Sequence, residues 1–124
     1  MKKMILTIIL FLTFQINTVY ADKNFQQLLK NAKEKNASVE DYKKLANAYL
    51  NENNVEKDDE HAFYWFYKAA EKGDAIAQYQ IATMYNSGEG TEKDLDEAYK
   101  WAELSANQDH KYAKYLLYAI EIIK

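Results

Sequence analysis

The sequence repeats itself. "LANAYLNENNVEKDDEHAFYWFYKAAEKG" from Leu45 aligns with "IATMYNSGEGTEKDLDEAYKWAELSANQD" from Ile81 at a constant offset of 36 residues, with no gap. In that register Ala46 pairs with Ala82, Tyr49 with Tyr85, Lys57-Asp58 with Lys93-Asp94, Ala62 with Ala98, Trp65 with Trp101 and Ala70 with Ala106. A period of this length marks a solenoid, in which a unit cannot bury its apolar face alone and must stack on a neighbour. Proline is absent and glycine occurs only at positions 73, 88 and 90, so the stacked elements are helices.

Each unit reads as two helices. In the second unit the first helix is expected from Ala75 to Ser87, with a stripe at Ala77, Ile81, Ala82, Met84 and Tyr85. The second is expected from Asp94 to Gln108, with a stripe at Ala98, Trp101, Ala102, Ser105 and Ala106. Alanines on both stripes let helix axes approach closely, and each tryptophan fills the space left between them. The offset also divides the aromatic run Phe63 to Tyr67: Trp65 and Phe66 fall on the core stripe and Phe63 borders it. Tyr64 and Tyr67 match Lys100 and Glu103, positions that the second unit gives to water, and so are placed on an outer face.

The breaks between helices carry their own chemistry. Ser87-Gly88-Glu89-Gly90 offers two residues that take positive φ at little cost; the first unit has Glu52 and Asn54 in the corresponding places. "TEKD" at 91–94 has the spacing of a capping box, and Asp58 or Asp94 can instead cap the second helices directly. Gly73 closes the first unit, where the second has Asp109, and Ser38-Val39-Glu40-Asp41 opens the first helix of the first unit.

Half units flank the pair. "NFQQLLKNAKEKNA" at 24–37 reads as a lone second helix with Phe25, Leu28, Leu29 and Ala32 apolar, and "DHKYAKYLLYAIEIIK" at 109–124 as a first helix, Ala113 matching Ala77 and Leu117 matching Ile81. Ahead of them, Lys2 and Lys3 lead an apolar stretch from Met4 to Phe14, then a polar region and small or branched residues at Val19 and Ala21. This is the layout of a secretory signal peptide cut after Ala21. The eleven-residue apolar stretch is shorter than the ~20 residues that cross a bilayer as a helix, so no membrane association is expected after cleavage. The expected organisation is a signal peptide at 1–21, an N-terminal capping helix at 22–37, repeats at 38–73 and 74–109, and a C-terminal capping helix at 110–124. That is an all-α, short right-handed α/α solenoid of about six helices, periplasmic or secreted.

Charge and composition exclude several partners. The net charge is −3 and becomes more negative once Lys2 and Lys3 are removed, and there is no arginine, so nucleic acid and anionic membrane are poor partners. There is no cysteine either, so apolar packing rather than disulfides must hold the exported domain together.

The stretch "EKGDAIAQYQIATMYNSGEGTEKDLDEAYKWAELSA" resembles a Sel1-like repeat: its spacing Ala-x-x-x-Ile-Ala-x-x-Tyr-x-x-Gly-x-Gly-x-x-x-Asp-x-x-x-Ala-x-x-Trp reproduces that family's pattern. Residues 38–73 fit more loosely, and Ala46 and Ala82 stand where the family has glycine. The resemblance implies a TPR-like α/α solenoid whose common role is protein–protein interaction, often as a scaffold in exported bacterial proteins. It also implies an alternative role, immunity against a secreted antibacterial effector. A cysteine-rich branch linked to penicillin binding is not carried over to a cysteine-free chain, and hydrolysis of a cell-wall component or a β-lactam is the least favoured alternative.

No catalytic, cofactor-binding or metal-binding residues are assigned, and an enzyme is not expected. His61 and His110 sit near helix starts in different units, without a histidine or cysteine partner at helical spacing, and read as solvated helix-end residues. Ser38, Ser87 and Ser105 fall at a cap, a turn and a core alanine position. The acidic run "EKDDEH" at 56–61 has a counterpart, "EKDLDE", in the second unit, and both place negative charge at a helix N-terminus. A binding surface is favoured instead. Off the core stripe, the first helices read Tyr42/Gln78/Lys114, Lys43/Tyr79/Tyr115 and Asn47/Thr83/Ala119 in register. From these, Tyr42, Asn47, Gln78, Tyr79, Thr83 and Tyr115 are the candidate partner-binding residues, because tyrosine offers stiff contact area with a polar tip.

Overall fold

In the computed structural model, residues 1–51 and 56–124 are described, so Glu52 and Asn54 lie outside the described residues. Among the described residues there are six helices and no strand: α1 (Lys2–Lys33), α2 (Val39–Leu50), α3 (Asp59–Glu71), α4 (Ala75–Ser87), α5 (Leu95–Ala106) and α6 (Lys111–Ile123). Each packs on the next, most extensively within the pairs α2/α3 and α4/α5, which are the two repeats.

The backbone repeats as closely as the sequence does. The Asp58 amide donates to the Tyr49 carbonyl at 2.9 Å, and 36 residues on the Asp94 amide donates to Tyr85 at the same distance. Gly73 and Asp109 donate to Ala70 and Ala106, both at 2.9 Å. Gly73 has φ +89° and Asp109 φ +63°, so the second unit closes with an aspartate held in the left-handed region that the first unit gives to glycine.

Capping is direct. Ser38 and Asp41 form a reciprocal capping box on α2. Asp58 accepts from the His61 amide, and Asp94 from the amides of Asp96 and Glu97, so Asp94 caps α5 directly and the Thr91 alternative is not used. Gly88, in the left-handed region, ends α4 with its amide on the Met84 carbonyl at 2.8 Å. Gly90 answers a different need. A Cβ there would lie 2.2 Å from the Asp59 carbonyl oxygen, so the turn of one unit presses against the start of the preceding unit's second helix.

The core lies between the helix layers. Leu45, Phe66, Ile81 and Ile120 are fully buried, each contributing about 1.5–3 kcal/mol by area. Ala46, Ala62, Ala82 and Ala98 are fully buried too and set the close helix spacing within each pair. Trp65 is buried and stacks on Tyr42 at 5.8 Å, but Trp101 is only half-buried, with the ring of Tyr67 edge-on to it at 5.4 Å. Tyr67 therefore does not face water. It crosses the boundary between the repeats and covers the second tryptophan, a contact that the alignment with Glu103 gave no reason to expect.

α1 is longer than the capping helix expected at 22–37. It runs unbroken from Lys2, and only its C-terminal part, through Phe25, Leu28, Leu29 and Ala32, packs on the repeats. The polar residues between Phe14 and Ala21 do not interrupt it. An 18-residue window of α1 has a mean hydropathy of 1.8 and none of it is buried, so by length and composition this helix can cross a membrane, a test that a signal sequence also passes. The eleven-residue stretch counted from sequence understates that length because the helix carries its apolar character past Phe14.

The first-helix surface as candidate functional site

The first helices of the array are α2, α4 and α6, and the structure sorts the six candidate residues on them. Tyr115 is 61% exposed and Asn47 is exposed, its Nδ2 donating to the Lys43 carbonyl at 2.9 Å. Thr83 is half-buried and its hydroxyl donates to the Tyr79 carbonyl. Tyr42 is half-buried against Trp65, with the Lys72 ammonium 5.6 Å from its ring centre. Gln78 is buried, not presented: its Nε2 donates to the Ala70 carbonyl at 3.3 Å and its Oε1 accepts from Gln108 at 2.9 Å. Gln108 also donates to the Gly73 carbonyl, so the two amides tie together the turns that close the repeats.

Tyr79 sits at the centre of a ring cluster. It stacks on His110 at 4.8 Å and lies 6.2 Å from Tyr112, and His110 and Tyr112 are 6.1 Å apart. The same register explains the surface around it. Ile76 and Tyr79 of α4 correspond to Tyr112 and Tyr115 of α6, and Ile76, Tyr112 and Tyr115 are each at least half exposed. The corresponding pair on α2 is Glu40 and Lys43, which are ion-paired at 3.4 Å, and Lys43 also lies 3.3 Å from Asp74. Burial works against the Lys43 charge, yet Asp74 and Glu40 outweigh it and hold its pKa above the ordinary lysine value. The surface therefore grades from a paired, charged end at α2 to an apolar, aromatic end at α4 and α6.

Ile76 and Tyr112 were missed by the sequence reading. The signal that would have found them is the spacing: each lies three residues before a chosen tyrosine, one helical turn away on the same face.

Neither histidine is simply solvated. His61 stacks on Tyr49 at 5.0 Å, with its Nδ1 2.7 Å from Asp58. His110 is the N-cap of α6, and its Nδ1 accepts from the Ala113 amide. Among the described residues, no three histidine, aspartate, glutamate or cysteine side chains converge as a metal site. The acidic run before α3 serves the helix: Asp58 caps it, Asp59 and Glu60 occupy its first turn, and Lys57 pairs with Asp59 at 3.5 Å. Ser105, fully buried, donates to the Ala75 carbonyl at 2.6 Å and joins α5 to α4 as a structural hydroxyl.

The Sel1 repeat family model matches residues 42–74 and 75–110, more than half of the chain. The chain belongs to the Sel1 repeat family. Among solved structures it is similar to a Sel1 repeat protein from Oxalobacter formigenes, with 32% identity, a TM-score of 0.64, and coverage of 66% of this chain and 62% of that one. It is also similar to a protective antigen present in uropathogenic Escherichia coli strains and displaying an SLR fold. There the identity is 31% and the TM-score 0.66, over 70% of this chain and 19% of that one. The chain thus spans less than two thirds of the length of either. No curated protein matches the sequence significantly. Sel1 repeats form right-handed α/α solenoids, and proteins built from them generally mediate protein–protein interaction.

Proposed function

We propose that this Sel1 repeat protein is an exported interaction module that binds another protein through the surface of its first helices, at the aromatic end made by α4 and α6. One observation carries the reading: Ile76 of α4 and Tyr112 and Tyr115 of α6, at equivalent positions on adjacent first helices, are each at least half exposed, and the half-buried Tyr79 ring lies 6.2 Å from Tyr112 and joins the two helices. Residues of this kind dominate binding energy at protein interfaces. The charged α2 end flanks it as a polar rim. No catalytic step, metal or cofactor enters this reading.

Export rests on the first 21 residues, where a basic start leads an apolar helix that is exposed from Met1 to Tyr20. Fractionation followed by intact-mass measurement tests it: a soluble species beginning at Asp22 is expected, and a full-length chain held in the membrane fraction would overturn cleavage.

The binding surface is tested by affinity capture from envelope extract with the wild type, Tyr112→Ala plus Tyr115→Ala, and Tyr64→Ala. All three altered tyrosines are more than half exposed, so helical content should not change. A specific partner lost with the double variant and kept with Tyr64→Ala supports the surface, whereas a partner retained by the double variant rules it out.

A further inference from the structure

The caps of the three first helices stand in register, at Ser38, Asp74 and His110. All three do the same work, accepting a hydrogen bond from the amide three residues on. Only the last accepts through a ring nitrogen. Imidazole accepts through Nδ1 only when that nitrogen carries no proton, and histidine is the side chain that changes charge between pH 5 and 8. Once protonated, His110 has no acceptor to offer Ala113, and its positive charge lies at the positive end of the α6 dipole.

His110 also lies under the surface described above, its ring on Tyr79 and beside Tyr112. From α4 it faces the Tyr79 ring, and from its own helix Tyr112. The flanking charges are Lys111 and the Asp109 carboxylate, which is held by Lys114 at 2.7 Å. On the α5 side the His110 amide donates to the Ser105 carbonyl, a bond that titration leaves intact. The tyrosine face attracts a cation, so protonation keeps the ring in its stack while removing the cap. Ser38 and Asp74 remain competent acceptors over the same pH range, so the change is confined to the end of the array that carries Tyr112 and Tyr115.

We propose that His110 is a pH-sensitive cap: above neutrality it fixes the first turn of α6 and the tyrosines on it, and on mild acidification it releases that turn while α2 and α4 stay capped. For binding, the consequence rests on the proposed surface, but the switch itself is read on the free chain. The experiment is amide hydrogen exchange by NMR on the partner-free protein, taking the rate at Ala113 relative to that at Ala77, the equivalent amide capped by Asp74; the ratio cancels the intrinsic effect of pH. In the wild type the ratio is expected to rise about fivefold between pH 7.5 and pH 5, the change that a lost cap produces. His110→Asn, which keeps a cap that does not titrate, should hold the ratio constant, and His61→Gln should leave the wild-type rise in place. A wild-type ratio that does not change with pH, or an equal rise in His110→Asn, would overturn the proposal. Failure of the affinity capture above would remove the binding consequence and leave this result standing.

Discussion

Three left-handed positions show how much a single residue decides. Gly73 has φ +89° and open space where a Cβ would go, so Gly73→Ala should cost only the conformational strain, about 1–2 kcal/mol. At Gly90 the same change adds a collision with the Asp59 carbonyl, and the expected loss is about 3 kcal/mol or more. Urea midpoints of the two variants measure the difference, and equal losses would contradict the close approach. Asp109 is the converse case, a non-glycine residue at φ +63° where the first repeat has glycine, so Asp109→Gly should stabilise by roughly 0.5–1 kcal/mol. The two glycines of the turn were legible in the sequence as positions of positive φ. That the second is also a contact between repeats was not, because a backbone approach leaves no mark on the residue it meets.

Helix by helix, stability depends on caps whose acids are held ionised. The Asp41 pKa is lowered, first by the Ser38 hydroxyl and then by the Ser38 amide, and that of Asp58 first by the His61 amide and then by the His61 ring. A carboxylate depressed in the fold contributes stability that is complete above its ordinary range and is lost as pH falls through the folded value. Thermal melts followed by circular dichroism should therefore show Asp41→Asn below the wild type at pH 6.5, with the gap closing at pH 3. The tryptophans separate the two second helices. Trp65→Ala should cost about 3–5 kcal/mol and Trp101→Ala clearly less, because one is buried and the other half-covered by Tyr67. The caps at Ser38, Asp58 and Asp94 were readable because each is a local, spaced pattern, whereas those at Asp74 and His110 were not read. The unequal burial of two residues in identical register was not, since it depends on what the neighbouring repeat places over each.

Across the whole molecule, the two ends of the array differ. α1 closes the N-terminal end with its Phe25 to Ala32 segment, and its residues before Ala21 are all exposed, so a chain starting at Asp22 should keep the melting temperature of the full chain within a few degrees. At the other end α6 presents Tyr115, Tyr118 and Ile122 outward. Tyr118 occupies the place of Ala46 and Ala82, so a helix packed on α6 at the close spacing of the two repeats would meet its ring. The sequence by itself determined the helical class, the 36-residue period, the caps at Ser38, Asp58 and Asp94 and the alanine core around Trp65, because these follow from local propensity and from a register that repeats without gaps. Tertiary structure alone decided which candidate tyrosines face outward, that Gln78 is spent inside a junction, that Tyr67 covers Trp101, and that His110 is both a cap and a member of a ring cluster. These depend on contacts between helices far apart in the chain, and periodicity gives the face of a helix without giving what the facing helix puts against it.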